Sequence, residues 1–521
     1  MRSIRRYLVT GTVLSALVAL PALFARPWAD ERFVMYMPES LVGGNPLLLW
    51  DQVMREVTAF IDVGVFRPLS RLAFYLEHWL MVRAGIISGI PPNVMMSVVK
   101  IAMIALVLMT GLATLDQYRR AGPYDGVLWR RTMLLLPFVF AGSLVLINPA
   151  VHPLTLFPGL YLGTAAVALF TPLWLGRALL RDAEPIGIRR WAGYCAAGLV
   201  GATLASMIEL AWLAIPLGLA HLYLLHTRRH GWGSGVELWR SRALRLWIAM
   251  AAGFAAVFVP ARLFIAHYCS SGACYDAAAP SFGGAFFEIL PFRIGSAFAP
   301  VGLLAQVRAV VRLMTHPSST LAISFGVALI AVVVLAVEWR FGGRRGPGDR
   351  PSGSGLGDLI PVSIYYGFVI LLASILAALS SGLQDKGLNP APWRETGFGW
   401  IAWAVLIALA LAAVADRLRG RGWLMLGLAL FLLTITATTV INRDDMRRVG
   451  LDTEGMLHIR AGQQIVDFDP GGNTARCDTI EGLRRVAASA SELRKMNLEA
   501  TYLDAAALHN YGMVFCDPAE G

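Results

Sequence analysis

The chain has 521 residues, of which 56% are hydrophobic and 15% are charged, and its mean hydropathy is +0.59. This composition excludes an ordinary soluble globular protein, in which about a quarter of the residues are charged. The formal charge of +11 does not indicate a nucleic-acid partner, because the arginines lie in short loops between apolar runs, where they orient membrane helices. We therefore predict an all-α polytopic membrane protein.

The N-terminal apolar run, residues 7–24, follows three arginines within the first six residues. It could be a signal peptide cleaved near Ala25 or Ala29. The run is longer than the apolar part of most signal peptides, which has about 7–15 residues. Cleavage would also leave Asp30 almost at the new N-terminus. We favour a membrane anchor that keeps the arginines in the cytoplasm and the following loop outside.

About eleven apolar runs are predicted to cross the membrane as helices. They are residues 7–24, 94–114, 132–147, 160–180, 191–207, 211–226, 246–265, 321–337, 359–379, 400–415 and 423–441. The arginine-rich short loops between them all fall on one side, which is then the cytoplasmic side. This predicts a cytoplasmic N-terminus and an extracytoplasmic C-terminus, in a bacterial inner or plasma membrane. Residues 281–314, interrupted by two prolines, are predicted to be an outer loop with interfacial helices.

The C-terminal tail, residues 442–521, is polar and more acidic than the inner loops. We predict a small extracytoplasmic α/β domain there, with strands within residues 456–468 and a helix over residues 481–496. Residues 1–441 would form the transmembrane domain, with residues 26–93 as its first outer loop.

The five cysteines indicate an oxidising outer face. The predicted topology places Cys269 and Cys274 together on that face, and it also places Cys477 and Cys516 there. Disulfides persist in oxidising compartments, so we predict one in each pair. Cys195 lies within an apolar run and is interpreted as a packing residue.

The first outer loop carries polar features in a definite order. These are the adjacent acids Asp30 and Glu31, then Asn45, then Phe66-Arg67-Pro68-Leu69, an amphipathic helix over residues 70–82, and Pro91-Pro92-Asn93 at the start of the second membrane helix. A pair of acids at the end of a membrane helix is costly without a partner or a function. We therefore place the candidate active site in this loop.

This order of features resembles the GT-C superfamily of membrane glycosyltransferases, which use lipid-linked sugar donors. The resemblance covers about the first 115 residues, and Met96 stands where many members have a histidine. It implies an inverting glycosyltransferase on the outer face of the membrane. Its donor would be a polyprenyl-phosphate sugar, and its acceptor an envelope glycan, a glycolipid or a protein.

Sugar transfer needs a base to take the proton of the acceptor hydroxyl, and the resemblance assigns this role to Asp30. Glu31 is the second catalytic candidate, as a contact to the acceptor or to a metal ion. The structural alternatives are an interfacial acid that pairs with Arg26 or Arg32, and a charge at a helix end.

Transfer also needs cations to hold the leaving phosphate. Arg67 could bind this phosphate or orient Asp30, and its alternative is a snorkelling arginine at the membrane interface. Arg293 and His316 are further candidates for the donor phosphate, because both lie in an outer region that could cover the lipid. Their alternative is contact with lipid headgroups.

Asn45 and Glu209 are candidate contacts to the acceptor, although an acid such as Glu209 is also common in a helix turn. The sequence contains no Walker A, HExxH, CxxC or GxSxG motif, and we predict no metal-ligand set. The cofactor is left open, with a divalent metal compatible with the acids. Two other functions remain: a transporter or flippase of lipid-linked or small polar substrates, and a structural membrane protein whose tail binds a partner.

Overall fold

The computed structural model describes residues 2–25, 35–62, 65–66, 68–122, 127–146, 152–155, 157–181, 187–204, 213–232, 235–269, 281–296, 298, 319–342, 356–380, 384, 395–417, 421–449 and 452–519. These residues form twenty α-helices and two short 3₁₀ turns, and they contain no β-strand. The predicted all-α class is confirmed for this part of the chain.

The helices are numbered here in chain order. The first ten are α1 (Arg2–Val18), α2 (Leu20–Phe24), α3 (Met37–Val42), α4 (Leu48–Asp62), α5 (Pro68–Ser88), α6 (Pro92–Ala121), α7 (Val127–Gly142), α8 (Pro158–Leu180), α9 (Ile188–Leu204) and α10 (Ala214–His230). The others are α11 (Gly235–Arg240), α12 (Arg242–Cys269), α13 (Gly284–Gly295), α14 (Ser319–Gly342), α15 (Ile360–Ala378), α16 (Thr396–Arg417), α17 (Arg421–Val449), α18 (Thr453–Val466), α19 (Asn473–Val486) and α20 (Ala490–Tyr511).

Five helical stretches among the described residues are long and apolar enough to cross a membrane. They are Pro92–Ala121, Pro158–Leu180, Arg242–His267, Gly357–Ala378 and Thr396–Ala415. Helices suit this environment because every backbone hydrogen bond is satisfied within the segment. Each stretch coincides with a predicted crossing, so a multi-span membrane protein is supported, while the total of about eleven stays a prediction.

Helices α9 and α12 cross at close range because each has a buried glycine at the contact. A Cβ atom built on Gly253 would lie 2.1 Å from the carbonyl oxygen of Cys195, and one built on Gly198 would lie 2.0 Å from that of Met250. Small residues of this kind let membrane helices approach backbone to backbone. The crossing therefore depends on the absence of a side chain at both positions.

The first outer loop and the C-terminal tail fold together. Their shared core contains Met35, Tyr36 and Val82 of the loop, and Ala461, Ile465, Val466, Ile480, Leu483, Met496, Ala500, Leu503, Ala507 and Phe515 of the tail. Since these two parts of the chain pack into one cluster, they lie on the same side of the helix bundle. This agrees with the predicted placement of loop and tail on one side, while the extracytoplasmic location of that side stays a prediction.

The predicted strands in the tail are wrong. Residues 456–468 lie almost entirely within the helix α18, and the tail is helical from Thr453 to Tyr511 apart from its connections. Asp452 caps α18, because its side chain accepts a hydrogen bond from the backbone N–H of Gly455. Buried residues then recur three to four positions apart at His458, Ala461 and Ile465, which is the helical period.

One of the predicted disulfides is confirmed. It joins Cys477 on α19 to Cys516 near the end of the tail, 39 residues further along the chain. Cys269 at the end of α12 is also disulfide-bonded, and its predicted partner, Cys274, lies outside the described residues. Cys195 is a free cysteine, as its interpretation as a packing residue requires.

We expect that replacing both Cys477 and Cys516 with serine destabilises the tail by about 3–4 kcal/mol, the loop-closure contribution of a crosslink of this span. Thermal unfolding monitored by hydrogen exchange in α19 and α20 measures the effect. Cys195→Ser is the matched control, since this thiol closes no loop. Equal stability of the double variant and the control would contradict the prediction.

Candidate active site

Five of the seven candidate site residues lie outside the described residues. These five are Asp30, Glu31, Arg67, Glu209 and His316, whereas Asn45 and Arg293 are described. The structure does describe the chain on both sides of the acidic pair, up to Ala25 and from Met35 onward. The contacts of the chain before and after the acidic pair can therefore be described.

A buried lysine binds the end of α2, the short helix that closes the N-terminal apolar run. Lys100 lies on α6, its exposed fraction is 1%, and its Nζ donates to the carbonyl oxygens of Ala22 at 2.7 Å, Leu23 at 3.3 Å and Ala25 at 3.3 Å. The last carbonyls of a helix lack partners within the helix, and they carry a partial negative charge that favours a cation. Lys100 therefore satisfies the end of α2 both by hydrogen bonding and by charge.

The two remaining carbonyls at this end are also bound. The Nδ2 of Asn93 donates to the carbonyl oxygen of Phe24 at 3.0 Å, and the backbone N–H of Ala25 donates to that of Pro21 at 3.1 Å. Asn93 lies seven residues before Lys100 on α6, so both side chains are on the same face. The chain up to Ala25 is thus fixed to α6.

Asn45 lies at an exposed turn immediately before α4. Its Oδ1 accepts a hydrogen bond from the backbone N–H of Leu47 at 3.2 Å, and its carbonyl accepts one from Leu48. These bonds start the helix, as Asn side chains often do. Asn45 has a structural role in this turn, and its contact with an acceptor stays a prediction.

Glu39 is a buried carboxylate at the junction of loop and tail. Its Oε1 accepts hydrogen bonds from the Nδ2 of Asn510 at 2.9 Å and from the Nη1 of Arg83 at 3.3 Å, and Arg83 also donates to the Oδ1 of Asn510. Burial raises the pKa of the Glu39 carboxyl, although Asn510 and Arg83 oppose this effect. The carboxylate ties α3 and α5 of the loop to α20 of the tail.

A second buried polar group supports the same junction. The Nδ1 of His458 on α18 lies 2.8 Å from the Oε1 of Glu499 on α20, and both side chains are almost fully buried. The hydroxyl of Tyr36 from the loop lies against Gly462, one helical turn beyond His458. Burial, and then the charge of Glu499, raises the pKa of Tyr36, so this hydroxyl stays protonated as a hydrogen-bond donor.

Within the loop, Glu56 joins α4 to α5. Its carboxylate accepts hydrogen bonds from the hydroxyl of Tyr75 and from Gln52 at 3.0 Å, and the Nε of Arg71 lies 3.6 Å away. Burial raises the pKa of Tyr75, which keeps its proton available to Glu56. Arg67 comes directly before α5 in the sequence, so this cluster fixes the helix that follows it.

Arg293 is part of a buried ion pair. Its Nη1 lies 3.2 Å from the Oε1 of Glu395, the two side chains are 4% and 3% exposed, and the indole of Trp403 donates to the neighbouring carbonyl of Ile294. A donor phosphate would have to reach a guanidinium that already contacts a carboxylate. The phosphate-binding role of Arg293 stays a prediction, and the structure gives it a second role, in holding α13 to α16.

Sequence reasoning assigned no role to Lys100, Glu39 or Glu56. Lys100 had a usable signal, because it is the only charged residue in the apolar run 94–114 and intramembrane charges are rarely without function. Glu39 and Glu56 had no comparable signal, since acids are ordinary in a polar loop. Their roles come from contacts that only the folded structure reveals, with the tail for Glu39 and between α4 and α5 for Glu56.

No protein-family model matches the chain, and no curated protein matches it. The function therefore has to be argued from the residues of this chain.

We expect Glu39→Gln to reduce the pH dependence of tail docking. A raised pKa means that the folded state holds this proton more tightly than the undocked state. The contribution of Glu39 to docking is therefore complete below the ordinary carboxyl pKa and is lost as the pH rises through the raised value. Glutamine keeps the acceptor oxygen and has no such loss. Hydrogen exchange in α20 between pH 4 and pH 8 measures the pH dependence of docking in both proteins.

Two variants calibrate this experiment. Glu39→Ala removes the acceptor that Arg83 and Asn510 share across the junction and should weaken docking by about 1–3 kcal/mol at every pH. Asp478→Asn changes an exposed acid on α19 and should leave the profile unchanged. If the profile of Glu39→Gln follows that of the wild type, another group sets the pH dependence.

Proposed function

We propose that the protein is an inverting glycosyltransferase of the GT-C kind. It moves a sugar from a polyprenyl-phosphate donor to an envelope glycan, lipid or protein acceptor on the outer face of a bacterial inner or plasma membrane. The observation that carries the proposal is the fixed start of the acidic segment. Before Asp30 and Glu31, the carbonyls of Ala22, Leu23 and Ala25 bind Lys100 on α6, and after them Met35 and Tyr36 belong to the shared core of loop and tail.

The proposed reaction is a single displacement. Asp30 accepts the proton of the acceptor hydroxyl, the oxygen attacks the anomeric carbon, and the bond from that carbon to the phosphate oxygen breaks. Polyprenyl phosphate leaves with the bonding electrons, and its charge is stabilised by cations, for which Arg67 is the first candidate and Arg293 and His316 are the others. Glu31, Asn45 and Glu209 are the proposed contacts to the acceptor, and Glu31 would also be available to a divalent metal.

One group of residues favours a second function, a transporter or flippase. Inside the described helices, the Nε2 of Gln117 donates to the carbonyl of Leu173 at 2.7 Å, and the Nε2 of His221 lies 2.9 Å from the Oε1 of Gln117. The rings of Tyr118 and Tyr365 pack against His221. Polar groups within membrane helices often mark a substrate path.

Purified protein in lipid nanodiscs, supplied with synthetic polyprenyl-phosphate sugars and envelope acceptors, tests the proposal. A glycosyltransferase releases polyprenyl phosphate in proportion to the glycosylated product. A flippase moves labelled donor across a vesicle membrane and leaves its chemistry unchanged. Movement without release would replace the proposed function with the second one. The glycolipid profile of a deletion strain then identifies the acceptor.

A further inference from the structure

The position of Lys100 is unusual for a charged side chain. It lies eight residues into the membrane-spanning helix α6, about 12 Å from its start at 1.5 Å per residue, and it is 1% exposed. A charge held inside a membrane helix is costly and tends to be kept for a function. Three backbone carbonyls from a single helix end are among the partners that offset this cost.

The geometry of these contacts points toward the acidic pair. The carbonyls of Ala22, Leu23 and Ala25 accept from one ammonium group, which has three N–H donors. Ala25 itself is extended, with φ −63° and ψ 147°. The helix α2 therefore ends at a defined residue and in a defined direction. Lys100 binds three of the carbonyl oxygens at this end.

The acidic pair comes soon after this point. Asp30 is five residues beyond Ala25, so it lies within about 17 Å of Ala25, the length of five extended residues. The end of α2 is therefore the point from which the segment that leads to Asp30 starts. A displacement of about 1 Å at a reacting group can cost on the order of 10² in rate.

We infer that Lys100 is a positioning residue for the acidic pair. By binding the carbonyls at the end of α2, it fixes where the segment that carries Asp30 and Glu31 begins. Its catalytic consequence rests on the proposed function, whereas its effect on the helix end does not. The experiment therefore has one readout that needs no activity and one that does.

Hydrogen exchange is the readout that needs no activity. Lys100→Met keeps the length of the side chain and removes its charge and donors, so the end of α2 should fray. We expect exchange of the Leu23 and Ala25 amides to rise at least tenfold. Lys100→Arg should keep wild-type exchange, because a guanidinium also offers several donors. Unchanged exchange in Lys100→Met would overturn the inference.

Gln117→Leu is the matched control. Gln117 is a buried residue of the same helix that also donates to a backbone carbonyl, that of Leu173, but it lies about 25 Å away along α6. It should leave exchange at the end of α2 unchanged. Asn93→Leu removes the hydrogen bond to Phe24 and serves if Lys100→Met does not fold. Its exchange should rise in the same residues, and an unchanged value would contradict the inference.

Sugar transfer is the second readout. In Lys100→Met we expect kcat to fall about 10- to 100-fold with the KM for the donor nearly unchanged, and Lys100→Arg should recover most of the rate. A loss of donor binding with unchanged kcat would overturn the positioning role. If the wild-type protein transfers no sugar, the proposed function fails, and hydrogen exchange still decides whether Lys100 fixes the helix end.

Discussion

Asp30→Asn is expected to reduce sugar transfer by about 10²–10⁴-fold, the usual contribution of a general base. Asparagine has nearly the size of aspartate and most of its hydrogen bonds, but it cannot accept the proton of the acceptor hydroxyl. Binding of the donor lipid should persist, because its phosphate contacts come from other residues. Transfer from a synthetic polyprenyl-phosphate sugar, with donor binding measured in parallel, tests both expectations.

Two controls separate a loss of the base from a loss of charge in the loop. Asp51→Asn removes an exposed acid from α4 of the same loop and should retain full activity. Arg67→Ala should weaken donor binding more than it slows transfer from the bound donor. Near wild-type transfer by Asp30→Asn would move the base to Glu31. If both acid variants remain active, the glycosyltransferase assignment of this loop must be withdrawn.

Gly253→Val is expected to disrupt the crossing of α9 and α12. The first added carbon would lie 2.1 Å from the carbonyl oxygen of Cys195, and a backbone atom cannot move aside as a flexible side chain can. Overpacking of a well-packed interior typically costs about 1–3 kcal/mol and occasionally more. We expect the upper end of this range, because the helices must separate. The measurements are the yield of folded protein and its thermal stability in detergent.

Gly201→Val provides a close control for this prediction. Gly201 lies three residues beyond Gly198 on α9, and a Cβ atom built on it meets no heavy atom of the described residues within 4 Å. Both variants carry the same change in helix propensity, so the difference in their stability isolates the close approach. Gly198→Val should behave as Gly253→Val does. If all three variants are equally stable, the two helices do not meet at these glycines.

The class of the protein could be predicted from the sequence because it follows from composition. Long apolar runs are stable only in lipid or in a protein core. The arginine-rich short loops between these runs favour a membrane. The end of α2 was harder to foresee, since a single lysine in an apolar run does not say which residues it binds. That Lys100 closes the helix before Asp30 follows from how α2 packs on α6.

The tail and α5 show where sequence patterns were ambiguous. Ile459, Ile465 and Val466 favour a strand over a short run, yet the buried positions of α18 follow the helical period, and periodicity over so few residues cannot decide. The helix predicted over residues 70–82 is present within α5, but two of its apolar side chains, Leu76 and Leu80, are 39% and 50% exposed. Phe74 and Val82 are buried instead, because a pattern does not tell a lipid-facing surface from a protein-facing one.

The shared core of loop and tail also bears on how the protein matures. Glu39 and Asn510, which meet in that core, are 471 residues apart in the chain. At synthesis rates of about 5–20 residues per second, the loop is complete about 25–95 s before its partner emerges. During that interval Met35, Tyr36 and Val82 have no tail to pack against. The shared core of loop and tail is therefore the last part of the protein to fold, and the emergence of the tail determines when this core forms.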